Sequence, residues 1–316
     1  MYPYNYKMGQ TIQTNVEGVS VDRGFIAHYH IPGEDAPPAS SDGVLPATNL
    51  GAETQEITAG ITNPAVPRNI RIDGNVDGIT GKVKITGTNF AGKVITEEIQ
   101  ANGTTAKDGN LAFRTVTKIE LPIQDHTPAQ QTETIQVTKG CSTAGDITVT
   151  ITATTLLGEE SGAQVTVTLS ATEHDTAAKV ATAIVEALNE DDVISAVFTA
   201  SVTGVGEDTV TLTANEPAAN DSSLAIAVTA GSTGVTFGSS TNGTSGVPYD
   251  KISVGWGDKL GLPYFLTHNT VLAAYLNNTL EATAATVTVD ANDLENNTID
   301  LHSDLNGTAV DIYLIV

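Results

Sequence analysis

The sequence predicts a mainly β protein: a sandwich- or barrel-like body carrying an inserted α+β module with one clear helix. Three observations carry that expectation. Apolar residues alternate with threonine at period two along much of the chain, one stretch alone has clear helical periodicity, and two polar, turn-rich segments bracket the region that holds it. Period-two alternation sends successive side chains to opposite faces of an extended strand, so that one face can be buried while the other stays wet.

Residues 1 to 43 begin MYPYNYKMGQ and include the proline-rich PGEDAPPASSDG, with little periodic apolar pattern, which predicts an extended N-terminal arm. Tyr2, Tyr4 and Tyr6 would give that arm large, rigid contact areas on docking. The alternative is that it folds back as an edge strand of its own body. His28 and His30 flank Tyr29 and would share one strand face. No third or fourth ligand is identifiable beside them, so the pair reads as solvated or packed and no metal is expected.

The body is expected over residues 44 to 130 and 247 to 316. Within it, GTNFAGKV matches the phosphate-loop pattern through Gly87, Gly92 and Lys93. A phosphate loop continues with a Ser or Thr hydroxyl for magnesium and opens a helix, whereas Val94 follows here and starts a strand pattern. The expectation is a β-hairpin turning at TNFAG between Val83/Ile85 and Val94/Ile95. Upstream, Asp73, Asn75, Asp77 and Gly78 occupy the first, third, fifth and sixth positions of a calcium loop, but Lys84 stands where a bidentate Glu is required. A turn is expected there, with a loosely held calcium left open. The adjacent carboxylates Glu97/Glu98 and Glu159/Glu160 should point to opposite faces of their strands and make no acid/base pair.

Residues 131 to 246 read as the inserted module, joined through QDHTPAQQTE (124 to 133) and GSSTNGTSGV (238 to 247). Its strands are DITVTIT, QVTVTLS and DTVTLTA. In HDTAAKVATAIVEALNEDD, Val180, Ile184 and Leu188 recur every four residues beside Ala181 and Val185, behind a capping Asp175 or Thr176. The only cysteine, Cys141, lies in a turn-like KGCSTAGD with no assignable histidine base, and it rules out an internal disulfide. No G-x-S-x-G elbow is present, so no catalytic residue is assigned.

In the C-terminal part, KISVGWGDKLGLPYFLTHN holds the only tryptophan, Trp256, followed by Tyr264 and Phe265. Such a cluster reads as core or interface before it reads as a sugar platform. Residues 269 to 282 fit a short helix through Leu272, Tyr275, Leu276 and Thr279, with a strand as the competing reading. ATVTVDA and the closing AVDIYLIV alternate as strands.

Thirty-seven acidic residues against 14 basic ones give a formal charge of −23, although charged residues make up only 16% of the chain. A field of that sign repels phosphate backbones and anionic headgroups, which argues against nucleic acid or a membrane surface as partner. No window reaches the roughly 18 apolar residues of a membrane helix, and MYPYNYKMGQ has no apolar signal core, so a soluble protein without a secretion signal is expected.

Residues 62 to 122, from TNPAVPRNIRIDGN through TVTKIELP, resemble a β-module of tailed-phage structural proteins, above all head decoration (capsid cement) proteins. DKISVGWGDKLGLPYFLTHNTVLAAYLNN and NTIDLHSDLNGTAVDIYLIV resemble the C-terminal half of the same group, and the segment from GDITVTIT to AIVEALN is similar to a module that recurs in phage head and tail proteins. The resemblance implies a non-catalytic virion protein on the outer capsid surface, made in the host bacterial cytoplasm. Its partner would be the major capsid protein, it would assemble as a homo-oligomer with a trimer favoured, and it would need no cofactor. Tyr2, Tyr4, Tyr6, Trp256, Tyr264 and Phe265 are the expected capsid or subunit contacts. The competing expectation is a tail or fibre component with a glycan- or receptor-binding module.

Overall fold

The computed structural model describes residues 11–13, 20–22, 26–262, 270–276, 279–282, 287–288, 298–301, 305 and 307–315. Strands account for 49% of the chain and helices for 9%, so the mainly β class is what the structure has. Two compact units divide it: Met1–Asp125 with Asp250–Val316, and His126–Tyr249.

The chain opens with β1 (Thr11–Gln13), β2 (Ser20–Asp22), β3 (Ile26–Ile31), β4 (Ser40–Asn49) and β5 (Gln55–Ile57). There follow β6 (Arg68–Gly74), β7 (Lys82–Thr88), β8 (Val94–Gln100), β9 (Lys107–Phe113) and β10 (Thr115–Leu121). The second unit contributes β11 (Thr132–Lys139), β12 (Gly145–Ala153), β13 (Glu159–Leu169), α1 (Ala177–Glu190) and α2 (Asp192–Ser195). It continues with β14 (Phe198–Thr203), β15 (Thr209–Ala214), β16 (Ala225–Thr229), β17 (Thr236–Phe237) and β18 (Thr241–Thr244). The chain re-enters the first unit as β19 (Lys251–Gly261), β20 (Thr270–Leu276), β21 (Thr279–Ala282), β22 (Val287–Thr288), β23 (Thr298–Ile299) and β24 (Val310–Ile315).

In the first unit one sheet runs β5-β10-β7-β8 and a second runs β22-β23-β19-β6-β9, with β4 also on β19. Alternation gives each sheet one apolar face. Val83, Ile85 and Ile119 of the first meet Ile70, Ile72 and Val254 of the second in a single core. Each such side chain taken out of water contributes about 1.5–3 kcal/mol, which is what holds the two layers together. A third sheet, β21-β20-β24-β3, buries Ile31, Ala274, Val310 and Ile312 against Leu260 and Ile299.

The expected hairpin is formed by β7 and β8, antiparallel with Thr88 opposite Val94. Its turn closes as the Gly92 amide donates to the Asn89 carbonyl and the Lys93 amide to Asn89 Oδ1, with Gly92 at φ +80°. Only a residue without Cβ takes that conformation freely. Asp73 to Gly78 lead from β6 to β7, which belong to different sheets, so this turn is a crossing between layers.

Two expectations change. Residues 26 to 43 do not belong to an extended arm: β3 is the edge strand on β24, pairing from Ile31 opposite Val310 to Ile26 opposite Ile315, and β4 lies on β19. Ile31 and Ala36 of this stretch are buried in the body's own core. The helical reading of residues 269 to 282 also gives way, because β20 and β21 are strands and β20 finds its partner in β24.

The second unit has one sheet ordered β14-β15-β11-β17, with β18 also on β11, and another ordered β13-β12-β16. Val149, Ile151, Val210 and Leu212 share one core with Val180, Ala181, Ile184 and Leu188 of α1. Thr176 caps α1 by accepting from the Lys179 amide, while Asp175 pairs with Lys179 Nζ at 2.7 Å. Residues 238 to 247, read as a loop, include β18, whose Thr241 pairs with Thr134 of β11. Where the chain enters and leaves this unit, Ala129 and Val247 exchange both backbone hydrogen bonds at 2.9 Å. Among the described residues no helix is long and apolar enough to cross a membrane.

Candidate functional site

Of the six residues expected at a capsid or subunit contact, Tyr2, Tyr4, Tyr6, Tyr264 and Phe265 lie outside the described residues. Trp256 is described and is half-buried on β19, opposite Ile70 of β6. Its neighbours explain the Gly-Trp-Gly spelling. A Cβ on Gly255 would sit 1.8 Å from the Ser40 carbonyl oxygen, and one on Gly257 would sit 2.5 Å from the side-chain Nδ2 of Asn69. The ring lies against Gly43, its Nε1 donates to the Pro38 carbonyl at 3.2 Å, and the Arg68 guanidinium stands 6.0 Å from its centroid.

Arg68 is 1% exposed. Its Nε donates to the Gly257 carbonyl at 2.8 Å and its Nη1 to the Pro37 carbonyl at 2.7 Å. Burial pushes its pKa down to about 10, with Asp258 opposing and Arg71 adding to the shift, so the group stays charged at neutral pH. Trp256 and Arg68 thus pin the segment before β4 to the body. The tryptophan is a structural brace at the rim of its own core, with its ring committed to backbone and guanidinium contacts.

A cleft of about 490 Å³ lies between β8 and β9, lined by Glu97 to Asn102 and Lys107 to Asn110. Glu97 and Glu98 do point to opposite faces. Glu98 takes Lys82 Nζ at 2.8 Å in solvent, whereas Glu97 turns inward and accepts the amides of Asn110 at 2.6 Å and Leu111 at 3.2 Å. Burial raises the Glu97 pKa against those two amides and Lys259. The carboxylate thus ties β8 to β9. Lys84, at the would-be calcium Glu, stands 3.6 Å from Glu120 Oε1; Asn75 Oδ1 accepts the Lys251 amide and Asp77 Oδ1 the Thr104 hydroxyl. Cys141 is buried and its Sγ donates to the Thr143 carbonyl at 3.1 Å.

The constellation that sequence reasoning missed is on the β3–β24 pair. Alternation puts His28 and His30 on one face of β3, and the register sets Asp311 opposite His30 and Tyr313 opposite His28. His28 Nε2 lies 2.6 Å and His30 Nδ1 2.8 Å from the same oxygen, Asp311 Oδ1. Hydrogen bonds from His30 foremost, and then His28, outweigh partial burial and hold Asp311 below the usual carboxylate range. Tyr313 stacks on the His28 ring at 4.6 Å and 5°, and Tyr275 meets Tyr313 edge-on at 6.0 Å. Among the described residues this is the one group of three metal-capable side chains within reach of one another. Asp311 is 283 residues from His28 in sequence, so spacing alone gave no signal for it.

No protein-family model and no curated protein matches the chain.

Proposed function

We propose that the protein is a non-catalytic structural component of a tailed-phage virion that decorates and stabilises the outer capsid surface, binding the major capsid protein as a homo-oligomer, with a trimer favoured. The observation that carries this reading joins sequence to fold. Two of the three segments that resemble decoration proteins, residues 62 to 122 and 250 to 278, are separated by the whole second unit, yet β19 of one pairs directly with β6 of the other, Ile252 opposite Gly74 through Trp256 opposite Ile70. The resemblance therefore follows a contiguous sandwich interrupted by an insertion.

Charge supports the same reading. A surface of −23 is tolerated outside a shell and is repelled by packaged DNA inside one. The committed environment of Trp256 weighs against the competing receptor platform, which would need that ring face open. Electron cryo-microscopy of virions of the encoding phage, with gold-labelled antibody against residues 126 to 249, tests the assignment. Label distributed over the head at regular lattice positions is expected. Label confined to the tail or its fibres would overturn it.

A further inference from the structure

We propose that His28, His30 and Asp311 form a binding site for a divalent transition-metal ion of the zinc class, which clips the edge strand β3 onto the C-terminal strand β24. This replaces the expectation that the histidine pair takes no metal. It stands on side-chain geometry and does not depend on the virion reading.

Three ligand atoms on three residues already converge. His28 Nε2, His30 Nδ1 and Asp311 Oδ1 all lie within 4.8 Å of one another, and the two nitrogen-to-oxygen distances are 2.6 and 2.8 Å. Ligand bonds of about 2.0–2.2 Å in a tetrahedral arrangement hold ligand atoms about 3.3 Å apart. The two nitrogen-to-oxygen separations therefore have to open by roughly half an ångström. It has room to do so, because the imidazoles are 46% and 51% exposed and can swing toward solvent, while Asp311 at 21% stays seated on the strand.

The ring chemistry is compatible. A carboxylate oxygen only accepts, so both nitrogens facing Asp311 carry hydrogens in the metal-free protein. On binding, the hydrogen of each ring moves through solvent to its remote nitrogen, and the ion takes the lone pair freed on the nitrogen that faces Asp311. Tyr313, stacked on His28 and braced by Tyr275, fixes the plane of one ligand before the ion arrives. Two imidazoles and one carboxylate select zinc, cobalt, nickel or copper over calcium or magnesium, which demand oxygen ligands. The exposed side leaves at least one coordination position to water. Because the ligands come from positions up to 283 residues apart in sequence, an ion bound here adds a side-chain link to the pairing of β3 with β24.

Isothermal titration of the metal-free full chain with zinc chloride, run beside calcium chloride, tests the site. One zinc per chain is expected, without comparable calcium binding, and His28→Gln, His30→Gln and Asp311→Asn should each weaken zinc by about tenfold or more. Absence of zinc binding, or zinc binding that the three variants leave unchanged, overturns the proposal. A second measurement on the unmodified chain guards against misfolded variants. In imidazole nitrogen–proton correlation spectra, zinc should move the ring signals of two of the six histidines, His28 and His30. Movement of other histidines instead, or of none, overturns it equally.

Discussion

Asp221 shows how much one side chain can organise. It is 3% exposed, and its carboxylate receives the amides of Thr155 and Leu156 on one oxygen and the amide and hydroxyl of Ser223 on the other. Gln131 clamps its backbone from both sides, accepting from its amide at 2.7 Å and donating to its carbonyl at 2.8 Å. Burial alone would raise the Asp221 pKa, but the hydrogen bonds from Ser223, Leu156 and Thr155 outweigh it and leave the group below its ordinary value. Asp221→Asn places an NH₂ against donors and is expected to cost the protein about 3 kcal/mol at neutral pH, measured by denaturant unfolding. A depressed folded pKa means that the native state binds the proton less tightly than the unfolded chain. The stabilisation is therefore present above the unfolded value of about 3.9 and fades as pH falls through the lower folded one, so the gap between variant and parent should narrow in acid. A gap that widens below pH 4 would contradict this account.

At the scale of elements, α1 separates packing from capping. Ile184 is fully buried against the sheets of its unit, while Thr176 contributes a single hydrogen bond at the helix start. Ile184→Ala should cost about 3 kcal/mol and Thr176→Ala about 1 kcal/mol, read from denaturation midpoints with an unchanged slope. Equal losses would mean that the helix is held by its cap. This helix was legible because cap and apolar stripe lie within one short stretch of sequence. The Thr-alternating strands were legible for the same local reason: their pattern needs no knowledge of a partner. The β20 region was not, since Leu272, Tyr275, Leu276 and Thr279 also satisfy helical spacing and the choice is made by β24, which comes much later in the chain. The fate of residues 26 to 43 and the approach of Asp311 to His28 and His30 were hidden likewise, both being settled by pairing between opposite ends of the sequence.

For the whole molecule, the division into two units makes a direct prediction. The Asp125 amide donates to Asp250 Oδ2 at 2.7 Å, and Ala129 pairs with Val247, so the chain leaves and re-enters the first unit at adjacent points. Replacing residues 126 to 249 by a short Gly/Ser bridge should leave a folded β body, and residues 126 to 249 alone should fold as well. Trp256, the only tryptophan, reports the first unit without interference. A cooperative fluorescence transition is expected from the shortened chain, and its loss would show that the body depends on the second unit. With 37 acids to 14 bases, the chain carries a net field that repels polyanions.

Co-sedimentation of the purified chain with mature capsids from which it is absent tests the decoration reading most directly. Saturable binding at a fixed ratio to capsid subunits is predicted, retained when residues 126 to 249 are replaced by the bridge and accompanied by greater resistance of the capsids to heat. A folded chain that stays in the supernatant with capsids, yet binds tails or host-cell glycans, would contradict it.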